Sequence, residues 1–432
     1  MTSDIILSIA FIIASLIPAY SIGCFNLKII NYYTIVFWFP VLFCIIGAFI
    51  IRSGIIDNSY FIYPIREQES SKKLALLLTT ASFSIMMFTI WITEITFEKY
   101  KKISTNWISY TNSNIFKSKK IVTISLWILT AIFFLYYVYS ISPSPLYLAF
   151  NGSSATEIAI RRIEVTRDYT GIGYFKTLAL TLPFILTYYS ICEFFNKRKS
   201  ILPLTASIII SIITILLNGE KAPLLFYFIG IVITISYLKP LKLRNILLLL
   251  LITIISILAL YIIFFESSNL SYLLYIIAER IFIAQESAMF YATTYYTTHD
   301  YIGLSSMNNI ITKILLIEPS PRASEIFMSE YLPNMIDNGG WNVNGYFAHE
   351  AYSNFGICGV IFGSIYAGII NALICIFFRC SNKNTLNISF FSFYSISITT
   401  VLTSFNYMLF NTQLILLFLI YLTLITINRR FN

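Results

Sequence analysis

Residues 121–141 read IVTISLWILTAIFFLYYVYSI, an unbroken apolar run without a single charge. A hydrocarbon layer about 30 Å thick takes about 20 residues of helix at about 1.5 Å each, so this stretch predicts a membrane-crossing helix. The same pattern recurs at 5–21, 34–51, 74–92, 174–192, 201–218, 222–238, 245–265, 355–378, 388–405 and 409–427. The expectation is an all-α, polytopic transmembrane bundle of about eleven spans (ten to twelve), a single integral membrane domain over residues 1–432. Only a short polar turn around Asn406 separates the last two spans. Composition agrees, since 57% hydrophobic against 11% charged residues is more apolar matter than a soluble core of this size hides.

Asp4 but no basic residue precedes the first apolar run, so 5–21 reads as a retained span rather than a cleaved signal. The six cysteines (Cys24, Cys44, Cys192, Cys358, Cys375 and Cys380) sit in or beside apolar segments with neither CxxC nor His/Cys metal spacing. They read as small packing residues without a disulfide framework.

Orientation follows from the short basic turns, because Lys and Arg beside a span are retained in the cytoplasm. Lys197 to Lys199, then Lys239, Lys242 and Arg244, then Arg379 and Lys383, then Arg429 and Arg430 all fall on one side of the alternation. The lysine-rich segment 99–120 joins them, and the only acids there are Glu94, Glu98 and Glu193. This predicts a periplasmic N-terminus and a cytoplasmic C-terminus. The net charge of +9 is then a topology signal and gives no reason to expect a nucleic-acid partner.

Two long loops fall on the outer side, 142–173 and 266–354, and loops of that length usually carry function. Within the first, EIAIRRIEVTRD (157–168) predicts a short amphipathic helix. Its Arg161, Arg162 and Arg167 form either a solvated face stitched to Glu157 and Glu164, or a fork-like anion clamp suited to a lipid diphosphate. Lys221, in the tight turn NGEK (218–221), is either a snorkelling interfacial lysine or a further cation for that anion.

The large loop opens with 271–291, apolar but interrupted by Glu279, Arg280 and Glu286. It predicts a structural helix lying on the membrane or packed on the bundle, with the two acids, seven apart, on one face. The PSPR stretch (319–322) and Gly339-Gly340-Trp341 then predict breaks. Next comes NVNGYFAHEAYSNFGICGVIFGSIYAGIIN (342–371), which places His349 and Glu350 just before the bilayer and glycines within the following span. With only His299 and His349 in the chain, a histidine general base has to be one of these two, against the plain reading of a polar loop histidine. There is no P-loop, GxGxxG, DxD or HExxH, so no metal site or cofactor is expected.

The topology and three motifs resemble the Wzy family of O-antigen polymerases. The motifs are E-x-Y-x-N-F-G at 350–356 running into Gly359, Gly363 and Gly368, the NGEK turn, and an R-x10-G spacing from Arg162 to Gly173. The resemblance implies a bacterial inner-membrane glycosyltransferase that joins lipid-linked oligosaccharide repeat units at the periplasmic face, with undecaprenyl diphosphate as leaving group. It also implies a chain-length regulator and a flippase as pathway partners. The expected site has His349 as proton acceptor with Glu350 as its orienter or substitute. Arg161, Arg162, Arg167 and Lys221, with Arg280 and Arg322 as lesser candidates, would meet the diphosphate. Tyr346 and Tyr352 are candidates for stacking on sugar rings. The rival expectations are a flippase or other transporter of the same lipid-linked units, and an O-antigen ligase.

Overall fold

The computed structural model describes residues 3–26, 29–97, 107, 120–166, 168–197, 201–218, 222–242, 244, 247–248, 251, 255, 270–334 and 343–430. Among these, every regular element is helical. Eight helices are long and apolar enough to cross a membrane: Ser3–Ser21, Tyr32–Ser53, Glu69–Thr96, Lys120–Ser140, Gly173–Asn196, Ile201–Asn218, Ala348–Cys380 and Phe405–Asn428. The predicted spans 222–238 and 388–405 correspond to the helices Ala222–Leu238 and Thr385–Val401, of 17 residues each. The expected span 245–265 lies largely outside the described residues.

In chain order, α1 is Ser3–Ser21, and α2 (Tyr32–Pro40) passes through a π-turn (Val41–Ile45) into α3 (Ile46–Ser53). Then come α4 (Glu69–Thr96), α5 (Lys120–Ser140), α6 (Pro145–Phe150), α7 (Ala155–Thr166), α8 (Gly173–Lys197), α9 (Ile201–Asn218) and α10 (Ala222–Leu238). The large loop carries α11 (Leu270–Ala278), a π-turn (Glu279–Ile283), α12 (Ser287–Tyr295), α13 (Asn309–Leu315) and α14 (Ala323–Tyr331). The C-terminal part is α15 (Ala348–Cys380), α16 (Thr385–Val401), α17 (Phe405–Leu409) and α18 (Thr412–Arg430).

Side-chain pairs sort the helix ends into two polar layers. At one, Arg52 bridges Asp4 (2.7 Å) and Glu69 (2.9 Å), and Lys72 meets Asp57 (2.8 Å). The hydroxyl of Tyr291 reaches the Phe61 carbonyl there, tying the large loop to that layer. At the other, Glu94 accepts from Tyr33 and from Arg379 (3.2 Å), Trp107 donates to the Ser381 carbonyl (2.9 Å) and Ser236 to that of Ile30. The basic turns after α10 and α15 thus share an end, as their charge predicted, and α4 and α15 run parallel between the layers.

Three expectations change in form. The 271–291 segment is two helices separated by the π-turn and a bend, and α12 packs against α4 and α15 inside the bundle. Glu279 and Glu286 are both buried there. Secondly, α15 is not one rod: Phe355 (φ −141°, ψ 17°) and Gly356 (φ 64°, ψ −150°) leave helical geometry. Gly356 occupies a region that only glycine adopts at little cost, and there the chain reverses. A short arm, 348–354, folds back on the long arm, 357–380, so closely that a Cβ on Gly359 would lie 2.1 Å from the Ala351 carbonyl oxygen. Thirdly, His349 and Glu350 ride on that re-entrant arm and are buried within the bundle, at 3% and 4% exposure, rather than waiting outside it.

The hairpin makes Gly359 a packing requirement. Gly359→Ala should lower stability by about 1–3 kcal/mol, the usual cost of overpacking. Gly173→Ala, where a Cβ meets open space, should stay close to wild type. Thermal unfolding of the two purified variants in one detergent is the comparison, and equal midpoints would contradict the back-folded arm.

Candidate functional site

The short arm brings a histidine, a carboxylate and, through one tyrosine, an arginine into a single network. Chain breaks within a membrane bundle free backbone groups that must find partners inside the protein, and this network is built around three such breaks. The first is the dip of 343–347 before the arm, where Phe347 N–H donates to the Leu402 carbonyl (2.8 Å). The second is the turn at the arm's end, where the Ser353 and Asn354 carbonyls accept from the N–H groups of Ile302 (2.9 Å) and Gly303 (3.0 Å). The third is 402–411, between α16 and α18.

Glu350 closes the third break. Its Oε2 accepts from Ser404 Oγ (2.6 Å) and from the Asn406 N–H (3.0 Å). Ser404 is the N-cap of α17, accepting from Tyr407 N, so the carboxylate sits at the start of that short helix. A buried ring of side chains lies beside it: Asn354 Nδ2 donates to Asn406 Oδ1 (3.0 Å), Asn406 Nδ2 to Ser306 Oγ (3.2 Å), and Ser306 Oγ to Asn354 Oδ1 (3.2 Å). The large loop, the re-entrant arm and the C-terminal break are thus locked together around one acid.

Arg322 enters from α14, whose N-cap it forms, with Glu325 accepting from its backbone N–H (3.0 Å). Its Nη1 donates to Tyr407 Oη (2.7 Å), and the guanidinium lies 4.7 Å from the centroid of the same ring. Burial works against its charge, but Tyr407, Glu350 and Glu325 outweigh that and raise its pKa above the usual value. Among the described residues Nη1 alone donates from its side chain, which leaves other N–H groups of the fork for an anion.

No hydrogen bond joins His349 to Glu350, whose Oε2 is taken by Ser404 and Asn406. Its Nδ1 lies 2.7 Å from the Tyr346 carbonyl oxygen. A carbonyl only accepts, so Nδ1 carries the proton and Nε2 presents a bare lone pair. That is the tautomer a proton acceptor requires.

The other predicted residues fall elsewhere. Arg161 is bound to Glu164 (2.6 Å) and to the carbonyls of Pro143 (2.8 Å), Ile141 (3.3 Å) and Ser142 (3.5 Å), so it ties down the start of its own loop. Arg162 is exposed on α7, which packs on α6 and α9, and Arg280 is exposed in the π-turn. Arg167 and Lys221 lie outside the described residues. Tyr346 is wholly buried with its hydroxyl on Met86 Sδ (3.3 Å), and Tyr352 packs edge-on to Tyr296 and Tyr301. Neither offers a free ring face. His299 is exposed and stacked on Tyr295 at 3.9 Å.

Sequence reading gave Glu286 no role beyond structure. It is fully buried, accepting from Thr79 Oγ1 (2.5 Å) and from the Tyr346 N–H (3.1 Å). Thr79 stands seven residues, roughly 10 Å of helix, inward of the ion-paired Lys72. The only local signal was an acid in an apolar run, which is costly unless it has specific partners.

Beside the 402–411 break, α8, α9, α10, α16 and the start of α18 line a cavity of about 250 Å³. Phe184, Phe226 and Phe393 line it, with Asn218, Thr400 and Gln413 among its polar groups and no charged side chain among the described residues. Among known protein families, curated proteins and solved structures, none matches this chain.

Removing the Glu350 carboxylate leaves a buried hydroxyl and a buried N–H without their acceptor. Glu350→Ala should therefore cost about 1–3 kcal/mol, and Ser404→Ala less, because the acid then keeps Asn406. Chemical denaturation of both variants measures the order, and a Ser404→Ala cost equal to or above that of Glu350→Ala would refute this wiring.

Proposed function

We propose that the chain is a glycosyltransferase of the inner bacterial membrane that polymerises undecaprenyl-diphosphate-linked oligosaccharide repeat units at the periplasmic face. The observation that carries this reading is the linkage of Glu350 and Arg322 through the 404–407 turn, with His349 next to Glu350 on the same buried re-entrant arm. The cavity beside the network, mostly apolar in its described lining, suits the alkyl part of a lipid-borne substrate.

In the proposed reaction, a sugar hydroxyl of one lipid-linked unit attacks the anomeric carbon of the glycan on the other. His349 Nε2 takes the hydroxyl proton as the new C–O bond forms. The bond from the anomeric carbon to the diphosphate oxygen breaks, and its electron pair leaves on the diphosphate, where the Arg322 fork meets the growing charge. Glu350 holds 404–406 and so the Tyr407 that supports Arg322. Arg161, spent on carbonyls and Glu164, is a structural residue in this scheme. A chain-length regulator and a flippase of the same pathway are the expected partners.

A transporter of the same lipid-linked units is the second reading, favoured by one feature: Glu286, His349 and Glu350 sit on broken helices inside the bundle, as ionisable groups in transporters do. Deleting the gene separates the two. Loss of a polymerase leaves lipid A-core bearing a single repeat unit on a lipopolysaccharide gel, whereas loss of a flippase or ligase leaves bare core. His349→Ala and Arg322→Ala at normal membrane abundance should reproduce the single-unit pattern, with polymerisation down about 100-fold or more.

The same scheme places eleven spans between a periplasmic N-terminus and a cytoplasmic C-terminus. In a background without the exposed Cys358, a membrane-impermeant maleimide added to cells with a permeabilised outer membrane should label Tyr301→Cys. Asn382→Cys should react only once the inner membrane is opened. The reverse pattern would put the site in the cytoplasm and remove the periplasmic reaction.

A further inference from the structure

We propose that Glu286 is a positioning residue: through the backbone of Tyr346 it fixes His349 in the tautomer with a bare Nε2. The segment 344–347 dips into the bundle with its carbonyls at 346 and 347 starting the short arm but with no helical acceptor for its own N–H groups, and it is held at three points. Asn344 O accepts from Ala288 N–H (3.0 Å), Tyr346 N–H donates to Glu286 Oε2 (3.1 Å), and Phe347 N–H donates to Leu402 O (2.8 Å). Two of these clamps are backbone to backbone, and Glu286 supplies the third with a side chain. The carboxylate is itself aimed by Thr79, whose hydroxyl donates to Oε1 (2.5 Å).

The consequence reaches His349 through the Tyr346 carbonyl. That oxygen accepts both the backbone N–H of His349 (3.0 Å) and its ring Nδ1–H (2.7 Å). Its direction depends on the backbone angles of Tyr346, which the bonds on Tyr346 N and Phe347 N bracket. With the Glu286 acceptor gone, the buried Tyr346 N–H loses its partner and the residue turns to find another. The carbonyl then leaves Nδ1, and nothing selects one ring nitrogen over the other. Space allows little alternative packing, because a Cβ on Gly345 would already meet His349 Nδ1 at 2.8 Å and Ala288 Cβ at 2.9 Å. A residue in the large loop thereby sets the proton position on a residue of the re-entrant arm, without touching it.

This deepens the reading of His349 as proton acceptor, but it is measured without any reaction, so its failure is distinct from failure of the polymerase assignment. The chain holds only two histidines. His299→Asn protein grown with ¹⁵N-histidine and placed in phospholipid nanodiscs therefore reports His349 alone, through ring ¹⁵N shifts that separate the two tautomers. The parent should show the Nδ1–H form. Glu286→Leu should raise the Nε2–H fraction at least tenfold, while Glu286→Gln, which keeps an acceptor oxygen, should retain the parent spectrum. A parent spectrum dominated by the Nε2–H form overturns the proposal outright, even if Glu286→Leu does not fold. A folded Glu286→Leu variant with an unchanged tautomer overturns it as well.

Discussion

Every backbone N–H and C=O inside a bilayer must find its partner within the protein, and this constraint shapes the broken region around the re-entrant arm. Straight helices satisfy it by themselves. The chain gives up that self-sufficiency at 343–347, 355–356 and 402–411, and each break is closed by a group from another break or from the large loop. Glu350 serves 404–406, Glu286 serves 346, Leu402 serves 347, and Ile302 and Gly303 serve the end of the re-entrant arm. Because each repair depends on another, the region has one arrangement in which all of them hold. That rigidity lets a few polar side chains keep fixed directions in an apolar surrounding.

The same constraint explains the division of labour among the arginines. Arg161 stands three residues from Glu164 and close to the carbonyls where α5 ends, so its donors are consumed locally. Arg322 follows a proline-rich break and caps a helix with its backbone, which leaves the guanidinium to reach across to Tyr407. A guanidinium with unspent donors, supported by an aromatic ring, is better prepared for an incoming anion than one already bound to three carbonyls.

The helices were legible because lipid solvent imposes a minimum apolar length that shows directly in segments such as 121–141, and the basic turns that share one polar layer were legible from charge alone. The glycine-rich run after Glu350 signalled close packing, but its reversal at Phe355–Gly356 was not readable: a single glycine inside an apolar stretch looks the same whether the helix continues or folds back. Glu286 was hidden for a different reason. Its meaning lies in Thr79 and Tyr346, 207 and 60 residues away, and no local pattern encodes partners at that separation. His349 and Glu350 were found as neighbours in sequence, yet successive helical residues point in different directions, so each serves a different part of the network.

The pair between Glu94 and Arg379 bears on how the chain is made. The two residues are separated by 285 positions, so during synthesis the acid reaches the membrane long before its cation has been translated. Tyr33, already synthesised, is the partner on hand, and its hydroxyl bonds the same carboxylate oxygen. A nascent α4 can therefore be sheltered first by an early aromatic neighbour and later neutralised by Arg379. The acid sits at the helix end, where the waiting period is least costly. The order of synthesis thus gives this carboxylate its aromatic partner first and its cation only when α15 arrives.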